Sequence, residues 1–459
     1  MVRIMASHRK IVIIGGSDAG ISAGLRIKEL AHDANVTMIL ADQYPNFSIC
    51  GLPFFLSGEV SEWKTLAHRT VDEIRNEGIH VVPQQNVSVI NSEQRQVIAG
   101  DSAGHAQAFQ YDKLVIATGG KSIVPDIPGI HLPGVFFLRW MGDGFALQEY
   151  LLAHGPRSIV IIGGGYIGME MADAMVRRGL QVSVIEYLPS VLTTFDRAFG
   201  RVVRAELEQH GVQVFTGFPV ERIESGGNEL SVCSGATAVT ADMVLVAIGS
   251  QPESSLAQSA GIAAGVRGAI PVNRRMETGI PNIYAAGDCA ETYHRLMDKN
   301  TYLPLGTTAH KQGRVAGENA VDGRREYAGS LGTQSVKIFN LVAARTGLKD
   351  DEALKEGMSP LSIDLSAWDH KLYYPHAQKI QLRITGDKVT GRLLGMQIIG
   401  SYGTEVSKRI DTIAAAIHNG MTIEALNDLD LSYTPPLSSP WDPVQMAAQA
   451  WDRATRHAN

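Results

Sequence analysis

The sequence predicts an α/β fold: two Rossmann-like nucleotide-binding domains followed by a separate C-terminal α+β domain. Three observations carry this. Residues 10–20 and 158–168 each run from a short apolar strand straight into a glycine-rich turn and a helix. Residues 111–120 and 241–249 then close each unit with a further apolar strand and a Gly turn. From about Gly329 the pattern changes to alternating strands and one amphipathic helix. A β-α-β unit repeated in this way reads as a duplicated nucleotide-binding architecture.

At 459 residues the chain is too long for one core, and its length suggests about three domains. We expect the first unit at 1–125 and again at 251–328, the second at 126–250, and the C-terminal domain at 329–459. Forty-one basic and 47 acidic residues give a net charge of −6 with no long run of either sign. That argues against nucleic acid as a partner. No apolar run approaches the roughly 18–20 residues needed to cross a bilayer, and residues 1–10 lack the apolar core of a signal peptide. The three cysteines, Cys50, Cys233 and Cys289, are scattered and odd in number. They form neither a disulfide framework nor a C-x-x-C pair. The expectation is a soluble cytoplasmic protein.

In the first unit the apolar strand ends at Gly15, Gly16, Ser17, Asp18, Ala19 and Gly20. Ile21, Leu25, Ile27 and Leu30 follow at helical spacing, and residues 36–40 read as a second strand. The dinucleotide fingerprint is imperfect, because Ser17 replaces its middle Gly. Leu40 stands where an acid is expected, leaving Asp42 as the candidate for ribose hydroxyls.

The second unit matches G-x-G-x-x-G in full, with Gly163, Gly165 and Gly168 enclosing Tyr166 and Ile167. Gly163 makes the turn, Gly165 admits a pyrophosphate to the backbone, and Gly168 lets helix and strand pack closely. Glu186 ends the next strand. A carboxylate there hydrogen-bonds a free 2′-hydroxyl and repels a 2′-phosphate, so NADH is preferred, with NADPH possible. The alternative is a Gly-rich turn that binds no dinucleotide.

Thr118 and Gly119, and later Gly249, end the closing strands. Gly287 and Asp288 then deliver a carboxylate at a Gly turn, which suits a hydroxyl-rich ligand chain. Thr307, Thr308 and Ala309 open a helical stretch running to Arg314, whose N-terminus can face an electron-rich ring or carbonyl. Cys50 stands in Ser48-Ile49-Cys50-Gly51-Leu52-Pro53. Pro suits the first turn of a helix, so Cys50 is expected near a helix N-terminus, where a thiolate is favoured. The plainer alternative is a buried structural cysteine.

These features together resemble the flavoprotein disulfide reductases. They are closest to the single-cysteine branch with NADH oxidases, NADH peroxidases, coenzyme A-disulfide reductases and persulfide reductases. The likeness runs from Ile11 to about Ala448. Its most specific parts are the Cys50 peptide, Gly287-Asp288-Cys289-Ala290, Lys408-Arg409-Ile410-Asp411, and Tyr433-Thr434-Pro435-Pro436 with Asp442-Pro443. The resemblance implies FAD on the first unit, with Gly15, Gly16 and Gly20 at its pyrophosphate, Asp42 at its ribose and Asp288 at its ribityl chain. It implies NADH on the second unit with Glu170 near the flavin, and Cys50 on the opposite flavin face. The C-terminal domain would be a dimerisation domain, making the protein a homodimer and carrying Tyr433 to the partner subunit's Cys50. A tyrosine hydroxyl there can protonate a leaving thiol; the alternative is a packing residue before a Pro-Pro turn.

Departures from the family pattern narrow the chemistry. Reductases with a redox pair have a second cysteine where this chain has Phe55, and the C-terminal His-Pro-Thr acid/base is absent. His418 and Glu424 are read as surface residues. Cys50 therefore cycles alone, as a mixed disulfide, persulfide or sulfenic acid. Peroxidases carry a His where Asp18 stands, which argues against peroxidase chemistry. Coenzyme A-reducing members carry basic residues where Glu29 and Glu73 stand; with Arg26 and Lys28 close by, this acidic pair is still expected to repel a 3′-phosphate and argues against coenzyme A. The first expectation is thus an FAD enzyme that oxidises NADH and reduces a small disulfide or persulfide through Cys50. The alternatives are an NADH oxidase reducing dioxygen, or a flavoprotein that passes electrons to a protein partner. Cys289 and Cys233 are read as structural or without a role. Trp368, Tyr373, Tyr374 and Trp441 are read as interface aromatics.

Overall fold

A computed structural model describes residues 9–227 and 229–457; residues 1–8, which bear on the absence of a leader, lie outside the described residues. The apolar strand Lys10–Ile14 pairs in parallel with Asn35–Ile39 on one side and Lys113–Ile116 on the other. Ile79–Val82 adds at one edge of this sheet and Ile283–Ala285 at the other. In the second sheet Ser158–Ile162 lies between Gln181–Glu186 and Met243–Val246, with Gln213–Thr216 and Val135–Phe137 at the edges. All four residues following the first position of Lys10–Ile14, and of Ser158–Ile162, are buried. Helices on both faces of a parallel sheet require such continuous apolar strands.

The duplication extends to single backbone bonds. Gly15 N donates to Ile39 O at 2.9 Å and Gly163 N to Ile185 O at 2.7 Å. Ala117 N donates to Ile14 O at 2.8 Å and Ala247 N to Ile162 O at 2.7 Å. The loop after the second strand folds back onto the Gly turn in both units, through Asn46 N to Gly16 O and Leu192 N to Gly164 O. The fifth strands differ in origin. The second sheet takes Val135–Phe137 from just upstream, whereas the first takes Ile283–Ala285 after the chain has traversed the whole second unit.

That return also brings in helix Gly306–Ala320, which lies along Asp18–Leu30. Their approach depends on small residues: a Cβ on Gly313 would stand 2.2 Å from Ala19 O, and one on Gly317 2.3 Å from Ala23 O.

Helix Leu52–Ser57, directly after Cys50, packs outside the first unit's core. Leu52, Phe55 and Leu56 share a buried cluster with Met169, Met171 and Met175 of helix Tyr166–Arg177.

The C-terminal domain is a five-stranded antiparallel sheet in the order Gln334–Ile338, Leu341–Gly347, Leu393–Ser401, Lys379–Asp387, Pro360–Trp368. Helices Val406–His418 and Pro443–His457 cover it, burying Ile410, Ile413, Ile417 and Trp451 against Leu382, Ile384 and Ile398. Strands Leu341–Gly347 and Pro360–Trp368 and helix Pro443–His457 go beyond the elements expected from sequence. Pro443 at a first helical position, with Val444, Ala447, Ala448 and Trp451 at helical spacing, carries the signal for that helix. The cluster of turn residues just before it obscures that signal.

Gly313→Ala is expected to lower stability to urea by about 1–3 kcal/mol, because its Cβ meets backbone rather than a movable side chain. Gly279→Ala, whose Cβ meets nothing within 4 Å, is expected to stay within about 0.5 kcal/mol of the parent. Equal denaturation midpoints for the two variants would refute the close-approach account.

Candidate active site

Cys50 lies in a 3-10 turn, Ile49–Gly51, immediately before helix Leu52–Ser57 with Pro53 in its first turn. The peptide is clamped from both sides. Ser48 N donates to Leu66 O at 2.8 Å, and Phe47 bridges to Ala67. A Cβ on Gly51 would meet Leu66 Cδ2 at 2.5 Å. The Phe47 and Trp63 rings stack 5.6 Å apart, and Tyr44 and Phe145 close on them edge-on. Aromatic clusters of this geometry stabilise beyond their buried area.

Cys50 keeps a solvent-accessible face although it sits low among its neighbours. That partial burial is the first cause raising its thiol pKa; Glu170 and Asp18 add to it, and Arg139 opposes. The position just before a helix start is as expected from the sequence, whereas burial and these carboxylates act against the thiolate that the helix end would favour.

The two glycine turns fit a dinucleotide on each unit. Gly15 has φ +104°, and a Cβ there would stand 2.1 Å from Ala117 O; one on Gly20 would stand 2.0 Å from Gly15 O. Gly163 and Gly168 repeat this, at 2.3 Å from Ala247 O and 1.9 Å from Gly163 O. These positions exclude any side chain. Gly165 differs: nothing lies within 4 Å of its Cβ position, so its open side is available to a phosphate at the start of helix Tyr166–Arg177. In the first unit Ser17 precedes helix Asp18–Leu30 and makes no capping bond with its side chain.

The acids after the second strands are held in different ways. Glu186 accepts from Gly164 N and Leu188 N, each at 2.7 Å, which ties it to the Gly turn. Asp42 accepts from Tyr44 N at 2.8 Å, and burial pushes its pKa up. Thr118 Oγ1 donates to Glu253 O at 2.5 Å. Gly119 and Gly249 both have positive φ, and a Cβ on Gly119 would press on the Trp140 ring at 3.2 Å. Gly287 N donates to Gln312 Oε1 at 2.9 Å. Asp288 forms an ion pair with Arg139.

Thr308 and Ala309 are buried. Thr308 Oγ1 lies 3.4 Å from Ser330 Oγ, and Ala309 faces Gly287. The exposed end of their helix is Gly306 and Thr307.

On the second unit the Tyr166 hydroxyl is buried, and burial pushes its pKa to about 12, with Thr194 opposing. Ile167 beside it is exposed. Burial, then Asp173, push Glu170 up to about 7, with Lys337 opposing. Asp173 is itself fixed by Phe339 N at 2.8 Å and Arg177 Nε at 2.6 Å. The C-terminal domain thus reaches the base of the Glu170 helix.

Sequence reasoning missed Arg139, Gln312, Asp173 and Lys337. Arg139 and Lys337 follow no motif. Gln312, a polar residue on an inward helix position beside Gly313, was the one with a readable signal.

Tyr433 is exposed on the segment before helix Pro443–His457, and its phenol neighbours Tyr373. Trp368, Tyr374 and Trp441 are also exposed on this domain. Cys289 and Cys233 are buried, while His418 and Glu424 are exposed.

Glu29 and Glu73 are both engaged locally. Glu29 accepts from Arg314 through both guanidinium nitrogens at 3.1 Å, and from Arg26 at 2.8 Å. Glu73 forms a capping box with Thr70. Two guanidiniums therefore offset the repulsion expected of Glu29 toward a phosphate.

Asp18→Asn and Glu170→Gln are each expected to lower the Cys50 pKa, since each removes a charge that opposes thiolate formation. Arg139→Met is expected to raise it. The pH dependence of Cys50 alkylation by iodoacetamide measures this in the purified protein, and profiles identical to the parent would refute the electrostatic account.

The pyridine nucleotide-disulphide oxidoreductase family matches residues 9–313, and its dimerisation domain matches residues 333–443. The chain is 35% identical over 442 residues to an NAD(P)H sulfur oxidoreductase (CoA-dependent) of Pyrococcus furiosus, covering 96% of this chain and 98% of that protein. It superposes on an NAD-dependent persulfide reductase from A. fulgidus with a TM-score of 0.94 at 35% identity, covering 98% of this chain and 84% of that one. The water-forming NADH oxidase from Lactobacillus brevis bound to NADH gives 0.94 at 27% identity, covering 98% and 99%. Two glycine turns, each followed by a tethered carboxylate, and a lone accessible cysteine between them thus stand in a chain that belongs to the FAD-dependent pyridine nucleotide-disulphide oxidoreductases.

Proposed function

We propose that this oxidoreductase takes electrons from NADH and delivers them through Cys50 to a small sulfur acceptor, a disulfide or persulfide. The observation that carries this is the isolation of an accessible Cys50 where the two nucleotide units meet. Position 55 is a buried Phe, and the other two cysteines are buried elsewhere. Bound FAD would supply the two-electron carrier between nicotinamide and sulfur.

The division at 1–125 with 251–328, 126–250 and 329–459 assigns the parts. Gly15, Gly16, Ser17, Ala19, Gly20 and Asp42 hold the dinucleotide of the first unit, with Thr118, Gly119, Gly287 and Asp288 along its length. Gly163, Gly165, Tyr166, Ile167, Gly168 and Glu186 hold NADH, and Gly249 lines the same cleft. Glu170, pushed up to about 7, exchanges a proton readily at neutral pH.

The Cys50 thiolate attacks one sulfur of a disulfide RS–SR′. A Cys50 S–S bond forms, the RS–SR′ bond breaks, and R′S⁻ leaves. The partner subunit's Tyr433 protonates that leaving group, which makes the working unit a homodimer. Exposed Leu372, Tyr373, Leu437 and Trp441 beside Tyr433 suit an aromatic-rich interface. Three free cysteines fit a cytoplasmic setting, and among the described residues no helix is long and apolar enough to cross a membrane. The likeness to the Pyrococcus furiosus enzyme supports the sulfur acceptor, while the likeness to the Lactobacillus brevis oxidase supports dioxygen as the second reading.

The holoenzyme, reduced by NADH without oxygen, decides between them. Reoxidation by inorganic polysulfide or a small disulfide, lost in Cys50→Ser while NADH still bleaches the flavin, is the expected result. Full activity in Cys50→Ser would sink the cysteine route. Oxygen uptake yielding water with no response to sulfur acceptors would establish the oxidase, and reoxidation only by an added electron-carrier protein, itself reduced, would establish the third possibility.

Tyr433→Phe is expected to slow the sulfur-dependent reoxidation by about 10²-fold or more and to leave NADH-dependent flavin reduction unchanged. Rapid-mixing absorbance of the two half-reactions separates these, and equal slowing of both would remove Tyr433 from the acceptor step.

A further inference from the structure

Lys408, Arg409, Ile410 and Asp411 form a motif to which the proposed chemistry gives no role. Lys408 and Asp411 pair on the surface at 2.9 Å, but Arg409 points inward and is only 8% exposed. Its guanidinium donates from Nη1 to Asp442 Oδ2 at 2.5 Å and from Nη2 to the Asp369 carbonyl at 2.7 Å. Each acceptor belongs to a different loop, one at residues 369–378 and the other at 428–442. Arg409 is the fork that joins them.

Each loop then builds on its end of the fork. Asp442 also accepts from Ser438 Oγ at 2.8 Å and, through Oδ1, from Val444 N at 2.8 Å. Asp369 accepts from Gln378 N at 2.8 Å and lies 2.9 Å from His370 Nδ1, while His370 Nε2 lies 3.2 Å from Pro375 O. Lys371 N donates to Pro435 O at 3.3 Å, a second tie between the loops. Asp369, His370, Arg409, Ser438 and Asp442 are all buried.

The outer faces of the same loops carry exposed aromatics: Tyr373 and Tyr374 on one, Tyr433 and Trp441 on the other. Lys371 lies over the Trp441 ring at 4.8 Å. A buried charged cluster sits directly behind an aromatic surface. Buried ion pairs contribute little net stability, because desolvation offsets their attraction. Removing one partner, however, leaves a costly uncompensated charge. What such a cluster provides is one allowed arrangement of the groups it joins.

We infer that Arg409 is a positioning residue that locks the 369–378 and 428–442 loops together, so that Tyr433 is presented to the partner subunit's Cys50. This rests on the proposed role of Tyr433, and the test separates the two. In the FAD-loaded protein, Tyr433→Cys places a thiol short of the phenol oxygen by the length of the ring, too far for a direct disulfide with the thiol that the phenol reached. A short bifunctional thiol-alkylating reagent that spans this gap then joins it to the partner subunit's Cys50, read as a covalently linked dimer on a denaturing gel.

Adding Arg409→Lys keeps the charge but loses the fork, and is expected to slow cross-linking at least about tenfold, since small misplacements cost that much in reactivity. Asp442→Asn in the same background gives a second reading from the other end of the fork. NADH-dependent flavin reduction and the dimer elution volume are expected to stay unchanged, which a general loss of structure would not allow. No cross-link in Tyr433→Cys alone overturns the Tyr433 reading and the inference with it. Cross-linking at the parent rate in both double variants overturns the inference and leaves Tyr433 in place. Elution of the double variants as monomers also overturns it, making the cluster part of subunit adhesion instead.

Discussion

The packing of the Cys50 helix on the wrong unit, in sequence terms, is the contact on which the site depends. The peptide leaves the first sheet and buries Leu52, Phe55 and Leu56 against the methionines of the second unit's first helix. A Cβ on Gly144 would stand 2.7 Å from Leu52 Cδ2, so the helix Met141–His154 approaches without a side chain between. Interiors are packed to crystal-like density, so this apolar contact fixes the thiol relative to both glycine turns at once. A cysteine anchored only in its own unit would move whenever the two units shifted against each other.

That position has an electrostatic consequence. The fold brings Glu170, Asp18 and Asp288 close enough to add to the burial that raises the Cys50 pKa, and Arg139 opposes them. Arg139 is itself engaged by Asp288, which draws its charge away from the thiol. The nearby carboxylates and the pairing of Arg139 thus both act against the thiolate, and easing either contact favours the nucleophile.

The sheets were legible in the sequence because their strands are continuous apolar runs and their turns demand glycine at set offsets. Cys50 was legible because no second cysteine stands near it. Local rules failed where partners lie far apart in the chain. Arg139 meets Asp288 across 149 residues, and nothing around either announces the other. The surroundings of the Cys50 thiol were hidden for the same reason: the helix start after it is visible locally, whereas Glu170, Asp18 and Asp288 come from three other segments. The helix carrying Thr308 and Ala309 begins at Gly306, one residue before the start expected at Thr307, and both side chains are buried. Glu29 looked like a free negative charge until Arg314, from the facing helix, closed on it.

The two halves of the chemistry rest on unlike kinds of structure. The groups that would hold both nucleotides and the thiol are fixed within one chain by backbone approaches of glycine and by apolar burial, neither of which depends on association. The aromatic surface around Tyr433 is fixed from behind by buried charge and left open in front. An exposed aromatic face is costly and gains by being covered; in the homodimer proposed above, a symmetric second copy would cover it and bring the same residues to the opposite site. Acceptor selectivity would then be decided at a surface that no single chain completes, while the nicotinamide half-reaction would be inherited intact from the duplicated fold. On that division one scaffold would keep its electron source constant and change its acceptor, since substitutions in the two loops and their anchoring arginine would alter the second task without disturbing the glycine turns that serve the first.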